Sequence, residues 1–129
     1  MKKLFMLLAM TCILISCDLT GYGPKEQTGG VEVYYQPDAL KEQAKSLSEM
    51  LDTLGYGKEG EVSFQVVKDS IVHINMVTMD QYHVDTSMDY ALNAISIMSS
   101  MEIFKKDKVQ LHVCDETFTR KRSLEVYNN

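Results

Sequence analysis

The chain has 129 residues, 45% of them hydrophobic, with 18 acidic against 13 basic side chains and a formal net charge of −5. That length suits one small domain. The acidic balance argues against nucleic acid as a partner, since binding there rests on Lys and Arg neutralising phosphates, and against a basic face lying flat on anionic lipid.

Lys2 and Lys3 precede the run from Leu4 to Ile15. Its roughly 12 mostly apolar positions fall short of the about 20 that a helix needs to cross the hydrocarbon core. A positive start, a short apolar middle and a small residue before the cut are the parts of an export signal. The order Leu14-Ile15-Ser16-Cys17 resembles the bacterial lipoprotein signal, with its aliphatic residue three before the cysteine and its small residue just before it. The resemblance covers residues 1–17 only. It implies cleavage between Ser16 and Cys17, a diacylglyceryl thioether on the Cys17 thiol, and further acylation, such as palmitate, on the new amine. Several chains anchor firmly, each buried CH₂ contributing about 0.8 kcal/mol. The expected partner is therefore the lipid bilayer, reached through acylated Cys17, and the expected location is the bacterial cell envelope.

Loss of residues 1–16 leaves 113 residues with 11 basic and 18 acidic side chains, a net −7. Cys12 leaves with the signal and Cys17 carries lipid, so Cys114 has no partner for an intrachain disulfide or a paired-cysteine metal site. Residues 17–30 hold four glycines and one proline without periodicity. They read as the lipidated cysteine and a flexible tether with an r.m.s. reach of roughly 20 Å.

Residues 31–129 read as a single α+β domain. Val31, Val33 and Tyr35 alternate with polar positions as in a half-buried strand. Pro37 and Asp38 open a helix whose apolar positions Leu40, Ala44, Leu47, Met50, Leu51 and Leu54 recur at three and four, with Gly55 as its stop. Val62, Phe64 and Val66 form a second strand, and a turn at Lys68-Asp69-Ser70 leads into a third with Val72, Ile74 and Met76 inward. Thr86 and Asp89 have capping-box spacing ahead of a second helix, with Met88, Ala91, Leu92, Ile95, Met98 and Met101 as its expected buried stripe. Val109, Leu111 and Val113 make a fourth strand, and the segment from Phe118 to Tyr127 is expected to add an edge strand, its Arg120-Lys121-Arg122 run discouraging intermolecular pairing.

The order βαββαβ is that of a ferredoxin-like split βαβ sandwich. In it the strands run fourth, first, third, second, and one sheet face is left uncovered. Tyr34, His73, Asn75 and His112 fall on that face as the candidate binding residues, with Glu32 and Cys114 beside them. Solvated polar side chains are the plainer reading of the same alternation. His73 and His112 would lie two strands apart, near 10 Å, too far to share a metal unaided. Asp80, His83 and Asp85 form a second acidic and imidazole cluster, which loop hydration and helix entry also explain. No serine occupies a nucleophile elbow, and no glycine-rich phosphate loop follows a strand. No cofactor or metal is expected. The resulting expectation is a membrane-anchored, non-catalytic interaction or assembly module of an envelope complex. The alternative is a small-ligand, peptide or metal-binding lipoprotein using the open sheet face.

Overall fold

The structure is a computed structural model that describes residues 21–128. It is an α+β fold, one six-stranded mixed sheet with two helices. The strands are β1 (Lys25–Thr28), β2 (Val31–Gln36), β3 (Val62–Lys68), β4 (Val72–Val77), β5 (Val109–Cys114) and β6 (Arg120–Tyr127); the helices are α1 (Lys41–Thr53) and α2 (Asp89–Glu102). β6 is the C-terminal edge strand expected from the sequence. β1 was not foreseen: it lies within the glycine-rich stretch read as tether and pairs antiparallel with β2. Of residues 17–30, only 17–20 lie outside the described residues.

The strand order is β1-β2-β3-β4-β5-β6, so the ferredoxin-like interleaving expected from the element order is not what forms. β2 lies directly beside β3 in parallel, β3 and β4 form the hairpin, and β4 lies directly beside β5 in parallel. Both strand-helix-strand units thus connect adjacent strands, a choice that alternation alone does not distinguish from leaving room for a strand between them. The chain crosses the sheet in one direction while strand polarity reverses, and both helices share one face. The two crossovers must therefore have opposite hands, one of them the uncommon left-handed form.

Register explains the core. Val33, Phe64, Met76 and Val113 stand in one row across the sheet, and Tyr35, Val66, Ile74 and Leu111 in the next. These residues join Ala44, Leu47 and Leu51 of α1 and Leu92 and Ile95 of α2 in one buried cluster. Leu47 and Leu51 are wholly buried, each burial stabilising by about 2 kcal/mol. α1 packs over β1 and β2, whereas α2 packs over β5 and β6, leaving the middle strands between them. Gly30 and Gly57 approach so closely that a side chain on either would meet the other's backbone.

α2 departs from the expected pattern. Its buried side is Leu92, Ile95, Ser96, Ser99 and Ser100, while Tyr90 is 93% exposed, Met101 55% and Ile97 40%. Met88, Ala91, Met98 and Met101, expected in the buried stripe, are exposed or only partly covered. The capping box is also absent: no side chain caps the helix start, and the Asp89 carboxylate instead takes two hydrogen bonds of 2.6 Å from Arg122 Nη1. That ion pair ties the start of α2 to β6, and the helix packs with its serines inward. Ser96 Oγ and Ser99 Oγ are buried without a hydrogen-bond partner, a costly arrangement for a hydroxyl. Ser99→Ala should therefore raise stability by about 1 kcal/mol, since alanine removes the unpaired hydroxyl and favours the helix. Urea unfolding with an unchanged slope and a higher midpoint is the expected result; a lower midpoint would show that the hydroxyl is needed.

Candidate functional site

The face opposite the helices is not left to water as expected. Gln65, His73, Asn75, His112 and Cys114 are all buried there, held by hydrogen bonds among themselves and by side chains from β6. Because β4 and β5 are neighbours, Asn75 stands opposite His112 in register, and the two imidazoles come together instead of lying two strands apart. His73 Nδ1 is 2.8 Å from His112 Nε2, with ring centroids 5.0 Å apart. His73 Nε2 lies 3.1 Å from both carboxylate oxygens of Asp69, in the β3–β4 turn. At the other end, His112 Nδ1 lies 2.7 Å from Ser123 Oγ on β6.

The carboxylate fixes the direction of the whole chain. Asp69 only accepts, so His73 Nε2 carries a proton; with neutral rings, His73 Nδ1 then accepts from His112 Nε2–H, and His112 Nδ1 accepts from the Ser123 hydroxyl. Every polar atom in the sequence Ser123–His112–His73–Asp69 is satisfied with both imidazoles neutral. Burial holds the His112 value down at about 4, helped by the Arg120 charge and by His73. The Ile71 backbone N–H, aided by His73, holds the Asp69 carboxyl below its ordinary value.

Asn75 belongs to a second chain. It donates through Nδ2 to Gln65 Oε1 at 3.0 Å, and its Oδ1 accepts from Arg120 Nε at 3.1 Å. Tyr34, the fourth expected member, is not part of this cluster. Its ring meets Tyr22 at 5.5 Å and Phe118 at 6.0 Å. Lys25, beside it, pairs with Glu32 at 3.0 Å. Phe118 reaches Tyr34 from the β5–β6 turn with φ +60°. That turn is held by Asp115 Oδ1, which accepts from Thr117 Oγ1 and from the backbone of Thr117 and Thr119; these bonds, the Thr117 hydroxyl first, bring the Asp115 carboxyl down to about 2.

The hydroxyl-imidazole-imidazole-carboxylate order has the polarity of a general-base relay. Its surroundings do not complete one. Ser123 lies inside β6 with its backbone in register with His112, away from any turn or helix start that would offer free N–H groups to an oxyanion. What the chain does structurally is join the β3–β4 turn, β4, β5 and β6 through two buried imidazoles whose end partners, Asp69 and Ser123, are exposed.

Asp69, Ser123 and Arg120 were not singled out as site residues by the sequence. Asp69 precedes His73 by four positions across a turn, a spacing that could have suggested their pairing; Ser123 and Arg120 carry no local signal, since their partners lie on other strands. The Arg120-Lys121-Arg122 run, read as free edge charge, is engaged throughout. Arg120 meets Asn75, Lys121 Nζ lies 3.7 Å from Asp115, and Arg122 binds Asp89 and the carbonyls of Tyr82 and Asp85. The Asp80–Asp85 cluster does not converge. His83 Nε2 is directed at the Cys114 carbonyl at 3.2 Å, Asp80 is wholly exposed and 4.0 Å from His83, and Asp85 takes the Ser87 N–H. Among the described residues, no group of three or more His, Cys, Asp or Glu is placed to hold a metal. Burial pushes the Cys114 thiol up to about 11, so it is inert. Leu14, Ser16 and Cys17 lie outside the described residues.

Separately, a cleft of about 870 Å³ opens at one end of the sheet, between the start of β3, the end of β4 and its following loop, the start of α2 and the β5–β6 turn. Val62, Met76, Met88 and Leu92 line it with apolar surface, and Glu61, Asp80, Asp115 and Glu116 add carboxylates.

The unfolded chain protonates His112 near its ordinary 6.5, whereas the folded chain resists until about 4. Its contribution is therefore complete above pH 6.5 and is lost as pH falls from 6.5 to 4, by about 3 kcal/mol. Asp69 acts in the same direction below its ordinary value. Urea unfolding at pH 7 and pH 4.5 should show this loss in the wild type and a shallower one in His112→Gln; equal losses would contradict it. In comparisons with known proteins, no family model, no curated protein and no solved structure matches this chain.

Proposed function

We propose that the chain is a membrane-anchored bacterial lipoprotein whose folded part is a non-catalytic interaction or assembly module of a cell-envelope complex. Anchoring rests on the signal-like order ending in Ser16-Cys17. Among the described residues, no helix is long and apolar enough to cross a membrane. Cys17 stands four positions before Gly21, the first described residue, a reach of at most about 14 Å. The domain therefore sits close against the head groups.

The observation that carries the assembly reading is the outer surface of α2. Between Asp89 and Glu102 the helix has no charged residue, and Tyr90, Ile97 and Met101 point outward while serines point in. An uncharged apolar helix face on an acidic domain marks an interaction surface. The histidine cluster supports the same reading from the other side. Its imidazoles and amides are engaged with one another and with Asp69, Ser123 and Arg120, which weighs against that sheet face as a ligand site.

A second reading, a binding lipoprotein, now rests on the cleft in place of the sheet face. Methionine-lined walls adapt to varied shapes, and the acidic rim suits a small amphiphilic cation or a basic peptide segment. Wild-type protein should stay with membranes through a high-salt wash and yield to detergent, carrying a lipid adduct by intact mass. Cys17→Ser should appear in the wash. A serine variant that still sediments with the membrane, or an unmodified thiol in the wild type, would contradict the anchoring.

A further inference from the structure

We infer that the outer face of α2 pairs with the same face of a second copy of this chain, antiparallel about a two-fold axis. The inference rests on the assembly reading and names its partner.

Tyr90, Ala94, Ile97 and Met101 follow one another at four, three and four residues, the spacing of a helix-helix seam. All four are exposed. A two-fold axis passing between Ile95 and Ser96 sets Tyr90 against the second copy's Met101, and Ala94 against the second copy's Ile97. Large side chains then flank the seam, and each small Ala94 faces a branched Ile97, which lets the helices close without overlap. Such an isologous contact needs a surface that complements itself.

Charge selects the occupant. Two acidic copies repel wherever carboxylates meet, and α2 presents an outer surface with none between Asp89 and Glu102. Asp89 is already neutralised by Arg122. Outside partners that read the acidic body through basic residues would find no carboxylate on this face to pair with.

Position argues against the bilayer as the occupant. Tyr22, just inside the described chain, packs on Tyr34, on the sheet face opposite the helices. α2 lies on the other side, over β5 and β6. An anchor four residues from Gly21, with a reach of at most about 14 Å, favours the Tyr22 side toward lipid over the α2 side. A two-fold along the membrane normal lays the paired helices parallel to the membrane and keeps both anchors on one side.

The test uses the full-length, membrane-inserted protein. Two differently tagged copies are co-expressed, one with Ala94→Cys and one with Ile97→Cys, and oxidised in isolated membranes; Lys58→Cys, exposed in the loop before β3, is the control. Buried Cys114 should stay silent. The expected result is a mixed-tag disulfide between positions 94 and 97, none at position 58, and about tenfold less product when Met101→Glu is added to both copies, the effect of a charge forced into an apolar seam. No mixed product, with the thiol introduced at position 97 nevertheless shielded from a water-soluble maleimide, overturns self-pairing and leaves a different protein partner. Labelling of that thiol by a lipid-borne probe overturns it in favour of the bilayer. If the thiol at position 97 reacts with maleimide as fast as the one at position 58, both self-pairing and the assembly reading fall.

Discussion

The hydrogen bond between His73 Nδ1 and His112 Nε2 can form only because β4 and β5 lie side by side in parallel, with these residues on the face away from the helices. That adjacency depends in turn on each strand-helix-strand unit closing onto its nearest neighbour. Once it does, the two faces of the sheet differ in chemistry, the second buried at Gln65, His73, Asn75 and His112 and exposed at the ends of its chains. One is a continuous layer of Val, Ile, Leu and Phe against α1 and α2. The other is a polar layer whose members are paired in two chains, Asp69–His73–His112–Ser123 and Gln65–Asn75–Arg120. Buried polar groups stabilise only when every one is satisfied, and the single proton direction imposed by Asp69 achieves that without charging either imidazole.

The inward-facing residues of β2 to β5 were legible in the sequence, as were α1, the β3–β4 turn and the edge strand β6. Period-2 and period-3.6 alternation reports which side of an element meets the core, and Val33, Phe64, Ile74, Leu47 and Leu51 all lie where alternation puts them. Strand order was not legible, because Val31 to Tyr35 alternates identically whether β3 or β4 lies beside it. That error alone separated His73 from His112 in the sequence reading. β1 was hidden by Gly29 and Gly30, which mark its turn into β2 while resembling linker. The rotation of α2 was hidden because Ala91, Met98 and Met101 fit a buried stripe as well as Ser96, Ser99 and Ser100 do not. The contact that ties the start of α2 to β6, Arg122 with Asp89, joins residues 33 positions apart.

These features divide the surface into parts with separate tasks. The β5–β6 turn and the first described residues meet on the polar face through the rings of Tyr22, Tyr34 and Phe118. α2 stands on the other side with its apolar surface outward. In this account the polar cluster is a structural clasp, which frees the helix layer for contact. Ser123, at the end of that cluster, sits within a paired strand.

The most direct test of this clasp is nuclear magnetic resonance of the ¹⁵N-histidine-labelled protein, following both imidazoles across pH. The account predicts that His112 is neutral with its proton on Nε2 at pH 7, shows scalar coupling through that proton to His73 Nδ1, and stays neutral until pH falls to about 4. A His112 that carries its proton on Nδ1, or titrates near its ordinary 6.5 with no coupling to His73, would contradict it.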